Sequence, residues 1–104
     1  MNRPKRTKKD TNHAEIVREL RQLGAVVWDT ADLGGHILDL VVHWRGQTRV
    51  VEVKPPGPMT FTDGEYESFD ELGAVGVVGV IAQSMEDVVS AFLGDLAFTD
   101  LEEE

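Results

Sequence analysis

The chain has 104 residues, no cysteine and a formal net charge of −9 at pH 7. This length supports a single domain with one modest core, and the lack of cysteine excludes disulfides, thiolate zinc sites and cysteine nucleophiles. The sequence has no apolar run near the length of a membrane span and no secretory signal, so we expect an intracellular, cytoplasmic protein without a membrane partner.

Basic and acidic residues are concentrated at opposite ends of the chain. Half of the ten basic residues stand among the first nine positions: Arg3, Lys5, Arg6, Lys8 and Lys9. Residues 102–104 are all glutamate. We therefore expect a flexible basic arm over residues 1–11, one domain over 12–95 and an acidic tail over 96–104. The arm is suited to neutralising DNA phosphates, but an ordinary solvated tail would have the same composition.

The first predicted helix begins near residues 10–12, whose side chains are good caps, and ends at Gly24. Its apolar stripe consists of Ile16, Val17, Leu20 and Leu23. Glu15 and Glu19 lie four residues apart on one flank, and either could reach a site or stay exposed. Residues 25–28 then predict a short strand, and 29–35 a polar loop.

A β-hairpin is predicted over residues 37–54. Two runs rich in β-branched residues, 37–44 and 47–54, flank Arg45-Gly46, where glycine supplies positive φ for a two-residue turn. In that register His43 pairs with Thr48, Val41 pairs with Val50, and Asp39 pairs with Glu52. Lys54 lies two residues beyond Glu52 on the same face.

This pairing sets two carboxylates and a lysine side by side. Opposed carboxylates repel each other, and a divalent cation such as Mg²⁺, which prefers oxygen ligands, removes the conflict. An ammonium beside them can hold a phosphate or an attacking water, which phosphodiester hydrolysis requires. The alternative is a solvated strand face with ordinary cross-strand charges.

The rest of the chain completes an α/β pattern. Prolines at 55, 56 and 58 end the strand, and a helix over 62–72 follows. Thr62 and Glu65 match a capping box, which favours capping over a metal or water role for Glu65. Tyr66 and Phe69 are expected in the core. Residues 74–82 predict a strand buried on both faces, and residues 84–87 begin a last helix whose apolar side chains pack inward.

Zinc and nucleotide chemistry are not favoured by the remaining motifs. His13, His36 and His43 have a spacing that matches no standard zinc site, although His36 precedes the hairpin and could contact DNA. The sequence lacks the glycine-rich fingerprints of nucleotide-binding folds and the Gly-x-Ser-x-Gly elbow. We therefore expect no nucleotide cofactor.

The Asp39 and Glu52-x-Lys54 pattern, in this order of elements, resembles the PD-(D/E)xK nucleases. Within them it is similar to the small stand-alone VRR-NUC proteins, relatives of Holliday junction resolvases. The resemblance covers about residues 12–93 and implies a restriction-endonuclease-like core, a central mixed β-sheet flanked by helices in the order α-β-β-β-α-β-α. Leu38 stands where the family name has proline, and Glu65 where VRR-NUC proteins commonly carry glutamine.

The resemblance also implies roles. Asp39, Glu52, Glu15 and the Val53 carbonyl would be ligands of Mg²⁺ or Mn²⁺, and Lys54 would be the catalytic lysine. Glu65 would be auxiliary.

The function implied is a metal-dependent endodeoxyribonuclease of a bacterial or phage-infected cell, selective for four-way junctions or other branched DNA. Lys5, Arg6, Lys8, Lys9 and His36 are the candidate DNA contacts. Cutting paired strands of a junction would need two active sites, hence a homodimer. The alternative is an inactive nuclease-fold module that binds DNA or a replication or recombination protein.

Overall fold

The computed structural model describes residues 4–34 and 37–102, and only the backbone of 4–11 and 95–102. The helices are α1 (Pro4–Gln22), α2 (Asp63–Ala74) and α3 (Met85–Glu102), and a 3₁₀ turn covers Ala31–Leu33. The strands are β1 (Val26–Asp29), β2 (Leu40–Trp44), β3 (Gln47–Val53) and β4 (Gly79–Ala82). They form a mixed sheet in the order β1-β2-β3-β4, which confirms a small α/β protein with a central sheet flanked by helices.

The predicted hairpin is confirmed as the two central strands of this sheet. Arg45 and Gly46 have φ values of 54° and 76°, the left-handed pair that a two-residue hairpin turn requires. His43 pairs with Thr48, as predicted. Leu40 lies opposite Val51, so the next step of the same register sets Asp39, just before β2, opposite Glu52.

One face of the sheet forms the core with α1 and α3. The buried side chains that meet there are Ile16, Val17, Leu20, Val27, Leu40, Val42, Val51, Val53, Ala82, Val88 and Phe92. Each large apolar side chain buried in this way contributes about 1.5–3 kcal/mol. Leu23, expected in the stripe, is exposed because α1 ends at Gln22 and the chain turns at Gly24, where φ is 100°. Of the helices described, none is long and apolar enough to cross a membrane.

The opposite face of the sheet is covered by α2 near β4. Phe69 lies over Gly79, and a Cβ at that glycine would collide with the phenylalanine ring. Val26 and Trp28, on the same face at the other edge, remain exposed. Tyr66 is also exposed, so its predicted core position is wrong. Instead its ring centre lies 5.7 Å from that of Phe61. Phe61 precedes the cap of α2 and Tyr66 is the fourth residue of the helix, the positions that form a hydrophobic staple.

The predicted start of the first helix needs correction. The backbone is helical from Pro4, so the predicted start of α1 near residues 10–12 is wrong. Proline is favoured at the first helical position, and the lysines and arginine that follow are good helix formers. At the other end, α3 continues to Glu102. The side chains of Lys5, Arg6, Lys8 and Lys9, and all of His36, lie outside the described residues.

The prediction of a strand over residues 74–82 buried on both faces is wrong. Only Gly79–Ala82 is a strand, and it pairs with β3 alone, at the edge of the sheet. Val75 and Val78 lie before it and are exposed. A run of apolar residues does not indicate how many strands will pair with it. In this sheet topology β4 pairs with a described strand on one side only.

Candidate active site at the open end of the hairpin

The predicted triad meets a fourth charged residue, Glu65, at the end of the hairpin away from its turn. Glu52 lies at the end of β3 and Lys54 directly after it. Asp39 is the residue before β2, and Glu65 lies in the first turn of α2. The Lys54 Nζ lies 2.7 Å from Glu65 Oε1 and 3.7 Å from Glu52 Oε2. Two carboxylates, those of Glu52 and Glu65, therefore share one ammonium group.

Asp39 is fixed by backbone hydrogen bonds on two sides. Its Oδ2 accepts a hydrogen bond of 3.0 Å from the Val53 N–H, so the carboxylate is held against the end of β3. Its carbonyl oxygen accepts a bond of 2.8 Å from the Thr30 N–H, which ties it to the end of β1. The carboxylate is thereby positioned by the main chain of β3 and the residue by the main chain after β1.

Glu52 is a buried acid, with only 4% of its surface exposed. Burial raises its pKa from the ordinary 4.5 to about 8, aided by a hydrogen bond with Glu65 and by the negative charges of Asp39 and Glu65. The ammonium of Lys54 acts in the opposite direction but does not outweigh these effects. Glu52 therefore keeps its proton at neutral pH unless more positive charge is supplied.

Lys54 is itself buried, at 9% exposure, and is held at both ends. The backbone N–H of Lys54 donates to the Ala82 carbonyl at 2.8 Å, and the backbone carbonyl of Lys54 accepts from the Asn12 side-chain amide at 2.9 Å. The ammonium lies 4.7 Å from the centre of the Phe61 ring, within the range of a cation–π interaction. The lysine therefore has a defined direction, toward the carboxylates.

Glu65 caps α2 and contacts Lys54 with the same oxygen. The capping box with Thr62 is confirmed: Thr62 Oγ1 accepts from the Glu65 N–H at 3.1 Å, and Glu65 Oε1 accepts from the Thr62 N–H at 3.0 Å. Burial favours a higher pKa for Glu65, but its hydrogen bonds with Glu52, Lys54 and Thr62 outweigh that effect and lower the pKa. Glu65 is therefore the charged acid that balances Lys54.

Two residues that sequence reasoning missed hold the loop after Lys54. Gln83 donates to the carbonyls of Pro55 and Gly57, at 3.0 and 2.8 Å. Asn12 donates to the carbonyls of Lys54 and Gln83. From the sequence, Asn12 is recognisable only as a helix cap and Gln83 has no recognisable role. Both residues make their contacts with segments distant in sequence, which local patterns do not indicate.

Glu15 is exposed on α1. Among the described side chains, no three histidines or acids are grouped closely enough to hold a metal, so Glu15 is not joined to Asp39 and Glu52 here. The two described histidines lie in separate contacts: His13 Nε2 is 3.0 Å from Asp29 Oδ2, and His43 Nδ1 is 3.0 Å from Thr48 Oγ1.

The donors at the end of the hairpin fit a hard divalent cation. Asp39, Glu52 and the Val53 carbonyl offer oxygen, and Mg²⁺ commonly takes one or two carboxylates with water and substrate oxygens in its other positions. Burial, the hydrogen bond with Glu65 and the neighbouring negative charges raise the pKa of Glu52 more than the Lys54 ammonium lowers it. A cation there would compete with the proton and favour the ionised form.

Comparison with known proteins identifies no relative. No model of a known family, no curated protein and no solved structure matches the chain.

Proposed function

We propose that the protein is a metal-dependent endodeoxyribonuclease of the PD-(D/E)xK type, with a restriction-endonuclease-like core. The observation that carries the proposal is the burial of Glu52 and Lys54 beside Asp39 at the open end of the central hairpin. Buried charges cost several kcal/mol each, and a buried ion pair is often no more stable than apolar side chains in its place. A catalytic role accounts for keeping them.

In this proposal Asp39 and Glu52 hold Mg²⁺ or Mn²⁺, with the Val53 carbonyl as a further ligand. The metal, when bound, polarises the scissile phosphate and stabilises charge on the leaving oxygen. Asp39 is already oriented by the Val53 N–H. Glu52 must lose its proton to bind, and its high pKa makes binding favour higher pH.

Lys54 acts on the phosphate or the attacking water. Its ammonium has donors to orient a water or to stabilise negative charge on a phosphate oxygen. Glu65 is the positioning residue, because its carboxylate is the nearest partner of the ammonium at 2.7 Å. Phe61 and the capping box fix this arrangement from the side of α2.

The preferred substrate in this proposal is branched DNA. A chain with a net charge of −9 is poorly suited to tight nonspecific binding by its body. The basic residues Lys5, Arg6, Lys8 and Lys9 are proposed to contact phosphates, together with His36, which precedes the hairpin in the sequence. Paired cuts in a four-way junction would come from the two sites of a homodimer.

A second candidate function is an inactive module of the same fold that binds DNA or a replication or recombination protein. One observation favours it: Glu52 is engaged with Lys54 and Glu65 rather than open toward a ligand. In such a module the charged residues would form a closed, self-satisfied network.

A cleavage assay separates the two. Labelled four-way junction, flap and linear duplex DNA are incubated with Mg²⁺ or Mn²⁺ and wild-type protein, Asp39→Asn or the control Asp70→Asn, which makes the same change at an exposed position on α2. The nuclease proposal expects metal-dependent cutting that survives in the control and falls by about 10²-fold or more in Asp39→Asn. Binding without cutting of any DNA would favour the inactive module.

A further inference from the structure

The two edges of the sheet are protected differently. At the β1 edge, Arg21 Nη2 donates a hydrogen bond of 2.8 Å to the Val27 carbonyl, so α1 covers an outward backbone acceptor. At the β4 edge, no described strand pairs beyond β4. The Ala82 carbonyl points toward β3, where it accepts a hydrogen bond from the backbone N–H of Lys54. Backbone groups alternate in direction along a strand, so the N–H and C=O groups of Gly79 and Ile81 point away from β3.

The chain segment that contains the β4 edge is uncharged and mostly apolar. Residues 73–84 include no charged side chain and no proline, in a chain that is 28% charged. Val75 and Val78 are 75% and 76% exposed, and Ile81 is 40% exposed. Soluble proteins usually protect an exposed edge with lysine, proline or a bulge, and this edge has none of the first two.

We propose that the β4 edge binds a second copy of this chain through antiparallel β4–β4 pairing, which joins the two sheets into one. A twofold axis at Val80 sets Gly79 opposite the partner's Ile81 and, by symmetry, Ile81 opposite the partner's Gly79. These residues have outward N–H and C=O groups, so each pair exchanges two hydrogen bonds. Val80 then faces the partner's Val80 without backbone bonds.

Charge favours a second copy at this edge. Two molecules of net charge −9 repel each other over most of their surfaces, and the run 73–84 offers contact without like charges. In this register each residue from 79 to 81 lies opposite one that is the same residue or two positions away in the sequence. Because side chains alternate between the two faces of a strand, the core-facing sides of the two sheets then lie on the same side of the joined sheet. The edge is therefore complementary to itself.

The first test is sedimentation equilibrium over a range of protein concentrations, without DNA or metal. We expect the wild type to dimerise. Ile81→Pro removes the outward N–H while leaving the bonds to β3, and Val78→Glu adds like charge near the axis, so each should weaken dimerisation by at least about 10-fold. Val26→Glu, at an exposed valine on the β1 edge, is the matched control and should dimerise like the wild type.

A covalent trap tests the register. The chain has no cysteine, so oxidation of Val80→Cys with oxidised glutathione links two chains only where their introduced thiols meet. Opposed residues without backbone bonds have a Cα separation compatible with a disulfide. We expect a covalent dimer from Val80→Cys and monomer from the control Val26→Cys.

A wild type that stays monomeric throughout the concentration range would overturn the inference, as would undiminished dimerisation of a folded Ile81→Pro variant. A monomer would leave the edge bare or open to a strand of another protein. The inference does not depend on the nuclease proposal, because association is measured without substrate. An inactive dimer would refute the nuclease and leave the interface standing. An active monomer would refute the interface and the homodimer of the nuclease proposal, but not the nuclease chemistry.

Discussion

The two ends of the central hairpin contain similar strands but treat polar side chains in opposite ways. At the turn end, Arg45 and Thr48 are exposed to water, and His43 bonds to the Thr48 hydroxyl. At the open end, Glu52 and Lys54 are buried among carboxylates. The turn end meets most of its polar groups with water and local bonds and leaves one neutral atom, His43 Nε2, buried without a hydrogen-bond partner among the described residues. The open end instead keeps charges that folding alone disfavours. This contrast is what directs attention to the open end as a functional site.

Removing the ammonium should have the largest effect on stability. Lys54→Met keeps the length of the side chain but leaves Glu52 and Glu65 without their cation. We expect the free energy of unfolding at pH 7 to fall by about 3–5 kcal/mol, measured by urea denaturation. At the turn end, Arg49→Met should cost far less. Equal losses from both variants would remove the distinction between the two ends.

The raised pKa of Glu52 predicts a pH dependence with a definite sign. Because the pKa is about 8 in the folded protein and 4.5 ordinarily, the contribution of Glu52 to stability is full below pH 4.5 and is lost as pH rises through 8. Glu52→Gln resembles the protonated acid and keeps that contribution. We expect the free energy of unfolding of Glu52→Gln to exceed that of the wild type by about 2–4 kcal/mol at pH 9 and to equal it near pH 4.

The control for that experiment is Glu67→Gln, which removes an exposed carboxylate from α2. The difference in free energy of unfolding between Glu67→Gln and the wild type should stay nearly constant between pH 4 and pH 9. A constant difference for Glu52→Gln as well would show that Glu52 titrates normally in the folded protein.

Metal should stabilise the open end in particular. If the nuclease proposal is right and Mn²⁺ binds only the folded form, Mn²⁺ at 100 times its dissociation constant should raise the free energy of unfolding by about 2.7 kcal/mol. Asp39→Asn should lose most of this gain, and Asp70→Asn should keep it, as measured by thermal unfolding. An equal gain in both variants would assign the metal to another site.

The smallest effect is expected at the turn. Arg45 has a φ of 54°, a conformation that asparagine adopts more readily than arginine. Arg45→Asn should therefore stabilise the protein by less than about 1 kcal/mol and leave metal binding unchanged. A loss of stability, measured by urea denaturation, would show that the turn depends on the arginine side chain.

The hairpin could be predicted because its signals are local. The turn residues, the strand alternation and the register between Val41 and Val50 follow from neighbouring positions. The same local logic found the capping box at Thr62 and Glu65. Counting along the hairpin from its turn is also enough to place the predicted triad at one end of the two strands.

What could not be predicted depends on packing between distant segments. The contact between Lys54 and Glu65 requires α2 to return over the end of β3, and nothing in the capping box indicates that. Residues 75–78 are exposed because β4 lies at an edge, a property of topology rather than of composition. The long α1 follows from helix propensity that a run of basic residues obscures.

The most direct test of the nuclease proposal is the single-turnover rate of four-way junction cleavage in Mn²⁺ by wild type and Lys54→Ala, with DNA binding and folding measured in parallel. The proposal predicts a product with a 5′ phosphate and a fall in rate of about 10²–10³-fold in Lys54→Ala, with binding retained. Cleavage at the wild-type rate by folded Lys54→Ala, or no cleavage by the wild type, would contradict it.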